Sequence, residues 1–186
     1  MSLLLGPIQD DDALLLGALI RMTMPKKCVE FGVGRSTVVI LEALTADAQL
    51  ISYDVDNKCP VADHRLTFKV KSQLEYEESD IDFAFIDASH DFEMNKALFL
   101  KLKNTLTKEA LVVVHDTGLW KEAFVNTGGH MTIDGYAHQI GERRFVNWIK
   151  NEFPLFQSIH LHTMRKIRHG ITILQSYNYL VTVKCD

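Results

Sequence analysis

The sequence predicts an α/β protein: a doubly wound, mostly parallel seven-stranded sheet with helices on both faces. Three observations lead there. Strand-like and helix-like stretches alternate along nearly all of the 186 residues, the pattern of right-handed βαβ units. ALVVVHD (110–116) is almost wholly apolar, as a strand covered on both faces must be. The first strand also runs straight into a glycine turn, CVEFGVGRST (28–37), and ligands of such sheets sit at the carboxyl ends of the strands.

From Gln9 to Met24, Leu15, Leu19 and Met22 recur at helical spacing, widened by Leu16 and Ile20. Asp10, Asp11 and Asp12 fall in the first turn, where the helix dipole favours negative charge. Pro25 ends this N-terminal helix, expected to pack residues 1–26 on a single domain spanning 1–186. The first strand follows, about Lys27 to Phe31, then the glycine turn and a helix over 37–47. QLISYD (49–54), the short run at 65–70 and IDFAFID (81–87) read as strands, and 91–106 as an amphipathic helix with Met94, Leu98, Leu102 and Leu106 on one face. After the apolar strand at 110–116, GERRFVNWIKNEF (141–153) carries Phe145, Trp148, Ile149 and Phe153 in register and stops at Pro154. FQSIHLH (156–162) and GITILQS (170–176) complete the seven strands, and NYLVTVKCD at the C-terminus reads as a strand or a tail.

Apolar residues make up 47% and charged residues 24%, and the net charge is −4. That balance argues against a nucleic-acid binder acting through bulk charge; the run Arg165, Lys166, Arg168, His169 reads as a solvated loop. No apolar stretch approaches the roughly 18 residues a membrane helix needs, and the MSLLLGP start lacks a basic flank. Three widely spaced cysteines, Cys28, Cys59 and Cys185, fit reduced thiols of a cytoplasmic protein.

The strand ends hold the chemistry. Gly32 and Gly34 allow a tight turn and close backbone approach, with Ser36 or Thr37 placed to cap the next helix. A lone GxG is a weak signal, since glycine turns often only turn the chain. Asp54 strengthens it: a carboxylate ending the second strand, about twenty residues on, can accept hydrogen bonds from ribose hydroxyls. Together they indicate a nucleoside-containing cofactor. Glu30, in front of the turn, argues that the nearest charge on that cofactor is positive rather than phosphate.

This combination of E-x-G-x-G and an acidic second strand end resembles the class I S-adenosylmethionine-dependent methyltransferases, over nearly the whole chain. The later strand ends, Asp87-Ala88-Ser89-His90-Asp91 and His115-Asp116-Thr117, resemble the small-molecule O-methyltransferases of the catechol and caffeoyl-CoA type and their sugar-modifying relatives. The resemblance implies a Rossmann-like fold with S-adenosyl-L-methionine as cofactor. It implies that Glu30, Gly32, Gly34 and Ser36 surround the methionine part, that Asp54 holds the ribose, and that Ser72 and Gln73 lie against the adenine. Asp87 would lie beside the cofactor and, with Asp116, hold a divalent cation such as Mg²⁺; His90 stands where those enzymes carry a lysine base. Catalysis is thereby assigned to His90 and Asp116 on a small-molecule acceptor, without nucleic acid or membrane, with a homodimer an open arrangement. The chain departs from the pattern in a turn two residues shorter, in Asp-Thr where a metal ligand Asn is expected, and in His90 itself.

Other assignments stay open. An NAD(P)-binding oxidoreductase would use a similar sheet, but Thr37 fills the third glycine position of its fingerprint. A non-catalytic protein that retains the fold is the second alternative. His115, beside an apolar strand, reads as a hydrogen-bonded pocket former rather than a ligand. The segment 119–141, with Gly128, Gly129, Gly135, His130, Tyr136 and His138, reads as a lid over the strand ends or as an ordinary surface loop.

Overall fold

The computed structural model describes residues 8, 10–59, 61–118, 133–161 and 170–176, with backbone alone over 133–140. Seven strands form one sheet: β1 (Lys27–Phe31), β2 (Gln49–Asp54), β3 (Leu66–Val70), β4 (Ile81–Ile86), β5 (Leu106–Val114), β6 (Phe156–Leu161) and β7 (Ile171–Ser176). Their spatial order is β3-β2-β1-β4-β5-β7-β6. The first five are parallel, and β7 enters antiparallel between β5 and β6. The chain therefore reverses its strand order at β1/β4, and in such sheets that crevice is where a ligand binds.

The alternation of β1 shows how two cores arise from one strand. Cys28 faces one side, with Leu16 and Ile20 of helix α1 (Asp10–Thr23) and Ile40 of helix α2 (Arg35–Ala43). Val29 and Phe31 face the other, with Leu98 and Phe99 of helix α3 (Phe92–Leu102) and Phe145 and Ile149 of helix α4 (Ile133–Glu152). Residues two apart on a strand share a face, so each central strand must be apolar throughout to satisfy both layers.

Several expected boundaries move. Met22 is 70% exposed; the buried stripe of α1 runs through Asp12, Leu16, Leu19 and Ile20 instead. Helix α3 ends at Leu102, and Leu106 already belongs to β5, whose register with β4 shifts between Ile81 and Phe83. Helix α4 starts at Ile133, so the irregular stretch expected to reach 141 gives way to helix eight residues earlier. Its first part, 119–132, lies outside the described residues, as do the side chains of Tyr136 and His138, the basic run at 165–169 and the C-terminal NYLVTVKCD. Among the described residues no helix is long and apolar enough to cross a membrane.

Candidate active site

The glycine turn is where β1 and β4 come closest. Gly32 has φ +94°, and a Cβ there would stand 2.2 Å from the carbonyl oxygen of Asp87. The first body this glycine admits is thus the backbone leaving β4. Asp54 then fixes the turn: its Oδ2 accepts the Val33 amide at 2.9 Å and its Oδ1 the Asp56 amide at 2.8 Å. After β3, Ser72 Oγ accepts the Leu74 amide and caps the short 3-10 helix Gln73–Glu75. Gln73 is buried, and its Oε1 accepts the Ser89 amide at 3.2 Å.

These strand ends enclose a cavity of about 430 Å³, within the usual range for small-ligand sites. Gly32, Gly34, Ser36 and Asp54 line one end. Ser72 and Gln73 line the wall beside them, and Asp87 and His90 the side toward β5. Ile8 adds an apolar side chain from the N-terminal segment. Arg35 holds that segment down, donating from Nη1 to the Ile8 carbonyl at 3.1 Å and pairing with Asp10 at 2.6 Å. The amide-bearing N-terminus of α2, at Gly34-Arg35-Ser36, also faces this space, which suits a carboxylate-bearing ligand.

Glu30 is placed differently from the expectation. It is fully buried beneath the turn and is not among the residues lining the cavity. Its oxygens accept from Ser36 Oγ (2.6 Å), Thr37 Oγ1 (2.8 Å) and Ser52 Oγ (2.6 Å). Burial pushes its carboxyl up to about 7, against the lowering effect of the three hydroxyls. Glu30 ties β1 to β2 and to the start of α2; the charge it was expected to present to a ligand is turned into the protein. The reason is the strand period: Glu30 lies on the same face as Cys28, toward α1 and α2, and away from the crevice.

Toward β5 the carboxylates meet imidazoles. Asp87, His90 and Asp116 each offer a donor atom, all within 4.8 Å of one another. Asp116 adopts φ +55°, a backbone region that aspartate tolerates better than most residues, and its side chain is buried under the cavity. His115 lies between carboxylates: Nε2 is 3.2 Å from Asp12, Nδ1 is 3.2 Å from Asp87 and 3.6 Å from Asp116. Burial pushes this imidazole down, but the surrounding carboxylates, Asp87 first, push harder and hold it well above its ordinary value. His115 thus lies at the centre of three carboxylates, and it anchors α1 through Asp12. His90 Nδ1 is 3.2 Å from Oε1 of the buried Glu142. Burial lowers His90, yet Glu142, Asp116 and Asp87 outweigh it and raise its pKa.

A cation fits this cluster by position, between β4 and β5. By ligand type, the two carboxylates suit Mg²⁺ or Mn²⁺, whereas adding the His90 imidazole would favour Mn²⁺ at the cost of the lone pair a base needs. His115 faces both Asp87 and Asp116 at 3.2 and 3.6 Å.

Sequence reasoning missed Asp12, Asn95 and Glu142. A signal was present for each. Asp12 is in register with Leu16 and Ile20, Asn95 with Leu98, Phe99 and Leu102, and Glu142 with Phe145, Val146 and Ile149. A polar residue on the apolar stripe of a helix must find a buried partner, and each of these does so at the strand ends.

Sheet order, crevice and cavity together are those of a Rossmann-like, doubly wound fold. Residues 29–117 match the family described as a methyltransferase domain, a span that runs from β1 to just past β5 and carries the strand-end site apart from α1 and α4. Over that span, just under half of the chain, the protein is similar to methyltransferase domains. Among solved structures, an O-methyltransferase from Bacillus cereus in complex with S-adenosylhomocysteine superposes with a TM-score of 0.68 at 18% identity, covering 91% of this chain and 83% of that one. The O-methyltransferase TomG from Streptomyces achromogenes, bound to S-adenosylmethionine, gives 0.68 at 20% identity, over 91% and 81%. The S-adenosylhomocysteine-bound methyltransferase PaMTH1 from Podospora anserina gives 0.69 at 14%, over 91% and 80%. At these identities the likeness is one of fold. No curated protein matches the chain.

Proposed function

We propose that this protein is an S-adenosylmethionine-dependent methyltransferase acting on a hydroxyl oxygen of a small molecule, with His90 as the general base and Asp87 and Asp116 orienting the acceptor. The observation that carries the reading is the convergence of Asp87, His90 and Asp116, two of which also line the cofactor cavity. The two similar structures that bear the name O-methyltransferase support oxygen as the acceptor atom. When bound, S-adenosylmethionine supplies a methyl group already activated by its sulfonium. What remains for the chain is alignment and proton removal.

Asp54 would accept ribose hydroxyls, a reading supported by its lining the same cavity as Ser72 and Gln73. At the other side His90 takes the hydroxyl proton at its ring nitrogen. Its raised pKa makes it a better proton acceptor but leaves it more often protonated at neutral pH. A positive charge nearby reverses that. The sulfonium is one source; a divalent cation held by Asp87 and Asp116 is a second and would also acidify the acceptor hydroxyl. Among the described residues the thiols of buried Cys28 and exposed Cys59 are free, which fits a cytoplasmic setting.

The test is calorimetric titration with S-adenosylmethionine, followed by acceptor screening with Mn²⁺, with Mg²⁺ and with chelator. Micromolar binding and oxygen methylation are the expected result. Binding without turnover on any hydroxyl acceptor, while an amine or thiol is methylated, would overturn the choice of oxygen. Turnover unaffected by chelator would remove the cation and leave His90 to act alone.

A further inference from the structure

His90 does not stand alone, and the groups that hold it form a continuous buried chain. Glu142 Oε1 accepts from Asn95 Nδ2 at 2.9 Å and faces His90 Nδ1 at 3.2 Å. Asn95 Oδ1 in turn accepts from Gln73 Nε2 at 3.1 Å, and Gln73 Oε1 accepts the Ser89 amide. Gln73, Asn95 and Glu142 are all buried. The loop after β4 is thus braced twice, at the Ser89 backbone from one side and at the His90 ring from the other. Helix α4 can come this close because residue 141 is glycine: a Cβ there would lie 2.3 Å from the His90 carbonyl oxygen.

The direction of the bonds along this chain is fixed. An amide nitrogen only donates, so Asn95 Nδ2 makes Glu142 Oε1 an acceptor. As a carboxylate, that oxygen can only accept from His90, which places the ring proton of a neutral imidazole on Nδ1 and its lone pair on Nε2. A base must present a lone pair, and a histidine whose tautomer is held by a buried carboxylate is pre-set to do so.

We propose that Glu142, oriented by Asn95, is the positioning residue that holds His90 in the Nδ1–H tautomer and turns Nε2 toward the reacting oxygen. This deepens the proposed function and rests on it for the meaning of the base, but the positioning itself can be measured without turnover. The experiment is ¹⁵N–¹H correlation of the histidine rings in the full-length protein, recorded where His90 is neutral, with its signals identified by their loss in His90→Asn. The wild type is expected to show the Nδ1–H pattern at His90. Glu142→Leu, similar in size but without an acceptor, is expected to lose that pattern, while Glu142→Gln, which keeps a carbonyl oxygen, is expected to restore it. S-adenosylhomocysteine affinity should stay within about threefold in both, since Glu142 is not among the cavity-lining residues. Should Glu142→Leu fold poorly, Asn95→Leu removes the orienting donor and is expected to leave His90 in mixed tautomers. An Nε2–H pattern in the wild type, or an unchanged pattern in Glu142→Leu, overturns the proposal. Failure of the wild type to bind S-adenosylhomocysteine would instead count against the methyltransferase reading and leave the tautomer result standing.

Discussion

The two halves of the crevice satisfy their carboxylates in different ways. On the β1/β2 side, Asp54 accepts two backbone amides and Glu30 accepts three hydroxyls, all from residues no more than 22 positions away in sequence. On the β4/β5 side, Asp12 and Glu142 meet imidazoles across 103 and 52 positions. The first half is a local construction of one βαβ unit. The second exists only once α1 and α4 have docked. Neutral donors suit a rigid cradle for a cofactor, whereas imidazoles supply the mobile protons and positive charge that acceptor chemistry needs.

The contrast can be broken most severely where the halves touch. Gly32→Ala places a Cβ against the Asp87 carbonyl at a positive φ, and the expected loss is about 4 kcal/mol or more, read as a collapsed denaturation midpoint and absent cofactor binding. Next is the long-range anchor: Asp12→Ala leaves His115 with one carboxylate fewer in a buried network, at about 3 kcal/mol, visible as a lowered melting temperature. His90→Gln should cut turnover about 100-fold with little change in cofactor affinity. In the wild type, kcat/KM, which reports the free enzyme, should rise with pH through a midpoint above the ordinary histidine value of 6.5, because the base acts only when deprotonated; His90→Gln should lose that limb.

The local half is tested at its own two carboxylates. Asp54→Asn keeps the shape but weakens the acceptor for ribose hydroxyls, and S-adenosylmethionine affinity should fall about tenfold by calorimetry. The last effect is a slope. Glu30 is raised from 4.5 to about 7 in the folded protein, so its contribution is fully present below pH 4.5 and is lost as pH rises toward 7. Relative to Glu30→Gln, the wild type should lose up to about 3 kcal/mol across that window, measured by urea denaturation at several pH values.

Much of this was legible. The strand runs, the glycine turn, Asp54, Asp87 and Asp116 can be read from position, because a parallel sheet presents the residue after each strand to one crevice. Glu30 misled for a local reason: the sequence shows it beside the turn, and only the pleat decides that it points into the α1/α2 layer. Asp12, Asn95 and Glu142 went unread because helical registers were searched for what was apolar. Their burial on those stripes was itself the clue.

By itself, the sequence determined the alternation of elements, the two apolar faces and the identity of the residues ending β1, β2, β4 and β5. Those follow from periodicity and turn chemistry, which act over a few residues. Tertiary structure alone decided which helix reaches which strand end: that Asp12 meets His115, that Gly141 lets α4 reach the His90 loop, and that Glu142 then lies beside its ring. These depend on how packed layers align side chains distant in sequence, and no local pattern encodes that alignment.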